Sequence, residues 1–336
     1  MAGTPKERAL QLGQRAAGAV GSAARTAAMP LRNYGFPYRA PNVPGGVEVP
    51  EEPSELGANY DTEWARTPVA RAARGIVSEG PLRLLVRGVA NPEITGLDRL
   101  DDLIRLKEPP PVIFAPNHHS HVDTGLMIRS IPMCWRRELV VAAAADYFFD
   151  KRWKAAVSAL ALNAIPIDRE VTNRRSSDMF RDLVADGDSL LIYPEGGRSP
   201  DGWGQDFKGG AAYLSSRTGA PVVPVFIDGT GAIYGKGMKR PKPGRTKVVF
   251  GAPLRQADDE NTRRFNARIE AAVTRLGDEA LTDYWIATKR AAEGSNPKLT
   301  GPEYNGWRRQ WELGEQRKLG AAGLRRRQKR AWPNLD

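Results

Sequence analysis

The chain of 336 residues contains three histidines, and all three fall within Asn117-His118-His119-Ser120-His121-Val122-Asp123. Imidazole is the side chain whose ordinary pKa suits proton transfer near neutral pH. His118 and Asp123 are five positions apart. On one continuous helix they would lie roughly 140° off each other's face, so they meet only if the chain turns just after His118. The run at 111–116 reads as a short buried strand, and Thr124-Gly125-Leu126-Met127-Ile128-Arg129 has the apolar spacing of a helix. The expected order is strand, turn, helix, with His118 in the turn and Asp123 one turn into the helix. An aspartate placed there accepts a hydrogen bond from one imidazole nitrogen and leaves the other basic and turned outward, as in a histidine–aspartate general base. The alternative for the three histidines with Asp123 is a zinc site, although adjacent histidines diverge and no second set of ligands stands nearby in the sequence. Ser120 reads as a helix cap rather than a nucleophile.

The elements that must carry this turn follow from about residue 95 onward, where strand and helix patterns alternate as in an α/β domain. Candidate strands are 111–115, 138–143, 163–168, 189–193, 221–227 and 246–250. Candidate helices are 123–130, 151–162, 172–186, 206–217 and 258–276, with helical periodicity running on to about 293. Thr172 reads as an N-cap and Gly187 as a stop for the third helix, and Asp258-Asp259 as the start of the last.

Three more segments join the histidine motif. Asn163-Ala164-Ile165-Pro166-Ile167-Asp168-Arg169 reads as a strand delivering Arg169 at its end. In Leu190-Leu191-Ile192-Tyr193-Pro194-Glu195-Gly196-Gly197-Arg198-Ser199 an apolar strand runs into a turn. Its glycines let the backbone approach an anion, and the guanidinium of Arg198 matches a phosphate. Glu195 is open to two readings, a cap on the following helix or a contact to substrate. Ala220-Pro221-Val222-Val223-Pro224-Val225-Phe226 is a strand interrupted by Pro224, hence an edge or a pocket wall.

In this order and spacing the four segments resemble the glycerolipid acyltransferases, in the 1-acyl-glycerol-3-phosphate acyltransferase branch. The family's Asn-His-x-x-x-x-Asp motif is matched by Asn117 to Asp123, and its Ile-Pro-Ile-x-Arg segment by Ile165 to Arg169. Its Pro-Glu-Gly-Thr-Arg-Ser motif is matched by Pro194 to Ser199, and its Val-Pro-Val segment by Val223 to Val225. Gly197 stands where threonine is usual, and His119 and His121 stand where Gln and an aromatic are common. The resemblance covers about 110–255. It implies an α/β fold with a mixed sheet flanked by helices and an N-terminal helical segment that meets a membrane. It implies transfer of a fatty acyl group from acyl-coenzyme A or acyl carrier protein to the free hydroxyl of 1-acyl-glycerol 3-phosphate, giving phosphatidic acid. His118 is then the base, oriented by Asp123. Arg169 and Arg198 hold the acceptor phosphate, Glu195 contacts the acceptor's glycerol, and Gly196 and Ser199 complete the binding turn. No metal or cofactor is expected beyond the thioester co-substrate. Other acceptors, among them glycerol 3-phosphate, another lysophospholipid or a glycolipid, fit the same motifs, and a non-catalytic lipid scaffold is the reading that leaves the motifs unused.

The net charge is +11, and residues 286–336 hold twelve Lys/Arg against five acids. This balance points to phosphate-bearing partners, above all an anionic membrane surface. Nucleic acid is not the expected partner, since no recognition motif stands beside the basic run Arg325-Arg326-Arg327-Gln328-Lys329-Arg330. Residues 1–61 read as a basic arm followed by a Pro-rich acidic linker. Residues 62–93 read as an amphipathic segment, broken by Pro68 and Pro81, that lies in a membrane interface, caps the domain, or does both. The acyltransferase domain is expected over 94–293 and a Trp/Arg-rich tail over 294–336. No apolar run reaches 18 residues and the start lacks the apolar block of a signal peptide. The expected location is the cytoplasmic face of the cell membrane, peripheral or monotopic. Cys134, the one cysteine, fits a reducing compartment and reads as a buried thiol.

Overall fold

The computed structural model describes residues 62–144, 152–167 and 174–301. The expected arm and linker, Arg169, the cap Thr172 and most of the tail lie outside the described residues. One sheet contains β1 (Pro92–Thr95), β2 (Ile113–Pro116), β3 (Leu139–Ala144), β4 (Ala164–Ile167), β5 (Ser189–Leu191), β6 (Val222–Asp228) and β7 (Thr246–Phe250). Their order is β1-β7-β6-β2-β5-β3-β4. Only β6 and β7 pair antiparallel; the other neighbours are parallel. The carboxyl ends of β2, β5 and β6 therefore open on one edge, with β2 between the other two. This is the edge where ligands of open α/β sheets bind.

Neighbouring residues of these strands point to opposite faces, and both faces are covered, as in parallel sheets buried on both sides. One face packs Ile113, Leu190, Val222 and Phe226 against α5 (Arg174–Ala185), α6 (Gly210–Thr218) and α7 (Thr262–Leu281), the helices that supply Phe180, Ala211 and Phe265. The other packs Phe114, Leu191, Val223 and Val225 against α2 (Arg83–Ala90) and α3 (Val122–Ser130). The mixed sheet flanked by helices is the expected class. α1 (Pro68–Val77), α4 (Arg152–Leu162) and α8 (Tyr284–Glu293) complete the longer helices of the described residues. None of the described helices is long and apolar enough to cross a membrane.

Several expectations are corrected in detail. β1 was not anticipated, and it spans the expected boundary at 93/94. It is an edge strand with one large apolar residue, Ile94, and is held mainly by backbone pairing to β7. Pro68 opens α1 and Pro81 stands between α1 and α2, the two helical pieces expected, but the path between them stays helical. The chain passes from α1 to α2 through a π-helical turn, Ser78–Leu82, and the wider turn accommodates a residue with no N–H. α7 starts after Asn261, whose side chain accepts the Arg264 N–H at 2.9 Å, and not at Asp258-Asp259. Pro224 lies in an interior strand, not at an edge. Its missing N–H is tolerated because pairing with β7 ends at Phe250, and the Pro224 carbonyl accepts the Gly251 N–H at 2.8 Å. Cys134 is exposed, not buried. Its short helix, Met133–Arg136, buries Trp135 instead, and the Trp135 indole N–H donates to the Pro110 carbonyl.

Candidate active site

The turn after β2 forms as its residue types require. Asn117, at the end of the strand, is buried, and its side-chain amide clasps the backbone of Ile227 at the end of β6. Its Nδ2 donates to the carbonyl at 2.9 Å and its Oδ1 accepts the N–H at 2.7 Å. Asp123 begins α3 and is fully buried. Its Oδ2 accepts the backbone N–H groups of His119 at 2.7 Å and Ser120 at 2.8 Å, so the carboxylate closes the turn on itself. The same oxygen lies 2.8 Å from Nδ1 of His118. A carboxylate opposite Nδ1 makes that nitrogen the donor, so Nδ1 carries the proton and Nε2 is the free acceptor. The His118 side chain is 16% exposed. Ser120 does not act as a simple cap: Oγ accepts the Val122 N–H and donates to the Tyr234 carbonyl at 2.8 Å.

The loop after β5 locks onto this turn. Glu195 is buried, and its two carboxylate oxygens accept the backbone N–H of His118 and that of Gln205, each at 2.9 Å. The Ser199 N–H donates to the His118 carbonyl at 2.8 Å, and Ser199 Oγ accepts the Gly202 N–H at 2.7 Å. Glu195 and Ser199 thus hold the two motifs together through the backbone. Gly196 has φ +69°, which favours glycine, and the Lys208 side chain lies where a Cβ would stand. Gln205 Nε2 donates to the carbonyls of Gly197 and Arg198.

Electrostatics separate the histidines. Burial, aided by the nearby Arg198 guanidinium, pushes His121 down to about 4, and burial pushes His119 down as well. Both are neutral near pH 7. Arg198 is half-buried and within electrostatic reach of the histidine turn. β4 ends on the same edge as β2, three strands away; Arg169, two residues on in the sequence, lies outside the described residues. Sequence reasoning brought His118, Asp123, Glu195, Gly196, Arg198 and Ser199 together on motif order alone. It missed Gln205 and Lys208, and it gave Asn117 and Tyr193 no role. For Asn117 the available signal was a polar residue ending an apolar strand.

The family profile described as Acyltransferase matches residues 93–228. A chloroplastic 1-acyl-sn-glycerol-3-phosphate acyltransferase of Brassica napus is 46% identical over 74 residues, 22% of each chain. A chloroplastic relative of the same description from Arabidopsis thaliana is 36% identical over 151 residues, 43% of this chain and 39% of its own. A third, from Cocos nucifera, is 31% identical over 161 residues, 47% and 50% of the two chains. The chain spans half or less of the length of these curated relatives. A solved 1-acyl-sn-glycerophosphate acyltransferase from Thermotoga maritima is similar to it at 22% identity and a TM-score of 0.48, over 66% of this chain and 84% of that one. The family profile and the curated relatives bear out the resemblance to the 1-acyl-glycerol-3-phosphate acyltransferase branch.

Proposed function

We propose that the protein transfers a fatty acyl group from a thioester, acyl-coenzyme A or acyl carrier protein, to the free hydroxyl of 1-acyl-glycerol 3-phosphate. The observation that carries this reading is the 2.8 Å contact between Asp123 and Nδ1 of His118 on the sheet's ligand-binding edge. Nε2 takes the hydroxyl proton as the oxygen attacks the thioester carbon, and Asp123 stabilises the imidazolium that results. The tetrahedral oxyanion collapses, the C–S bond breaks and the thiolate leaves. A thiol pKa near 8.5 makes it a good leaving group, and the imidazolium returns the proton to sulfur. The new ester is phosphatidic acid, and no covalent acyl-enzyme is needed.

Arg198, with Arg169, holds the acceptor phosphate, which places the free hydroxyl against Nε2. The electrostatic reach of Arg198 to His121 supports this for Arg198. Glu195 serves the reaction as the brace between the two motifs, and its two backbone bonds favour that role over contact with the glycerol. The work is done at the cytoplasmic face of the membrane, where both lipid substrates reside. The exposed apolar residues Val69, Ile76, Leu84 and Leu85 along α1 and α2 support contact with a bilayer.

The test is release of free thiol from oleoyl-coenzyme A, with and without lysophosphatidic acid, by wild type and by His118→Ala. Release should need the acceptor and vanish in the variant. General-base catalysis is worth about 10²–10⁴-fold, so more than about one per cent residual activity in a folded His118→Ala protein would sink the assignment.

A further inference from the structure

Asp123 fixes only one end of the His118 ring. A single hydrogen bond to Nδ1 leaves the imidazole free to swing about that bond, and Nε2 would sweep an arc. A second group removes this freedom. Tyr193, the residue before Pro194 in the loop after β5, stacks on His118 with ring centroids 4.0 Å apart and planes 24° apart. Its hydroxyl is 3.1 Å from Oγ1 of Thr124, the residue after Asp123. The ring is thus anchored at both ends, through its backbone to β5 and through its hydroxyl to α3. We propose that Tyr193 is a positioning residue of the transfer reaction, whose ring fixes the plane of the His118 imidazole and favours the imidazolium created when the acceptor proton is taken.

The physical ground is that proton transfer turns a neutral ring into a cation lying against an aromatic face, well within the range of a cation–π attraction. That attraction is stronger after the proton moves than before, so it assists the step itself rather than binding alone. Tyr193 is not itself the acid or base. Burial, with the charge of Asp123 next, pushes its phenol well above the ordinary value, so it stays a neutral plate. The charged and titratable groups that face the turn are Asp123 on Nδ1, Glu195 on the His118 N–H, the neighbouring His119 and His121, and Arg198 within electrostatic reach of His121. Asp201 and Asp228 act on His119, and Lys208 lies against Gly196. The inference rests on the acyltransferase reading for its kinetics but not for its titration.

The experiment compares Tyr193→Phe, which keeps the ring and loses the hydroxyl, with Tyr193→Leu, which loses the ring. The loss of kcat in Tyr193→Leu should exceed that in Tyr193→Phe by about tenfold, with both KM values changed less than about threefold. The acidic limb of kcat/KM should move about half a pH unit lower in Tyr193→Leu. The His118 imidazole resonance, identified by its disappearance in His118→Ala, should move with it. If Tyr193→Leu does not fold, phenylalanines of increasing fluorination at position 193 keep the shape and weaken the π face, and the titration should fall stepwise along the series. Equal losses in Phe and Leu, or a His118 titration indifferent to the ring, would overturn the proposal. Absence of acyl transfer in every variant would count against the function, and the resonance titration would then decide the stacking by itself.

Discussion

At the scale of residues, one carboxylate oxygen organises the turn. Asp123 Oδ2 accepts two backbone N–H groups and faces the imidazole, so the turn and the tautomer of His118 share one anchor. This pair was legible in the sequence because its geometry is local: five residues, a strand before and a helix after. The stacking of Tyr193 was not, because β2 and β5 are neighbours only through pairing that brings residue 113 beside residue 190. His121 gives a prediction at this scale. It is pushed down to about 4 by burial and Arg198, whereas an unfolded histidine titrates near 6.5. As pH falls the unfolded chain therefore binds the proton first. The stability contributed by this group is full above about 6.5 and is lost as pH falls toward 4. His121→Gln removes this titration, so its melting temperature should fall less steeply than that of wild type across the window. Parallel slopes would assign the acid lability to other groups.

At the scale of elements, the helical segment before the sheet is fastened through α1. Arg71 of α1 pairs with Glu138 at 2.9 Å and stands 4.0 Å from Asp188, at the foot of β5. Arg74 Nε donates to the Leu160 carbonyl of α4. The amphipathic character of this segment was legible: its buried Val86 and Ala90 display packing on the domain, one of two compatible readings, while Leu84 and Leu85 on its other face stay exposed. The π turn and β1 were not legible. A helix that widens at a proline has no periodicity signature, and a four-residue edge strand with one large apolar side chain has no alternation to detect. Asp188 is pushed up to about 6, chiefly by burial, against an ordinary aspartate near 3.9. The folded protein therefore holds this proton more tightly than the unfolded chain, and stability declines as pH rises from about 4 to about 6. Asp188→Asn should accordingly be more stable than wild type, by a margin in urea midpoint wider at about pH 7.5 than at about pH 4.5. A variant less stable than wild type at about pH 7.5 would mean that attraction to Arg71 outweighs the cost of burial.

At the scale of the whole molecule, the His118 turn, the exposed leucines of α2 and a basic loop converge on one edge. Ser120 Oγ donates to the Tyr234 carbonyl, and the Ile233 carbonyl accepts the Lys242 N–H, so the loop at 236–245, before β7, follows directly from the wall of the His118 turn. The same loop is tied to the end of α2. The Gly244 N–H donates to the Val89 carbonyl at 2.9 Å, and Oγ1 of Thr246, where β7 begins, to the Ala90 carbonyl. Lys239, Arg240, Lys242 and Arg245 of the loop are exposed, as are Leu84 and Leu85 one to two turns back along α2. Cations beside an apolar helix face are what an anionic bilayer binds, and under the proposed function they lie on the edge by which a lipid acceptor would enter. Each basic side chain near such a surface contributes about 1 kcal/mol, screened by salt, while apolar insertion is not screened. The two components separate by mutation. Replacing Lys239, Arg240 and Lys242 together by Glu should weaken binding to phosphatidylserine-containing liposomes by at least about a hundredfold and flatten its salt dependence. Leu84→Ser with Leu85→Ser should weaken binding at every salt concentration and leave the slope unchanged, because it removes apolar area without adding charge. Transfer to micellar acceptor should survive in both variants, because neither change touches the His118 turn. Binding to neutral and anionic liposomes alike, with no response to salt, would remove the loop cations from the contact, and such binding left intact by the leucine changes would overturn the edge altogether.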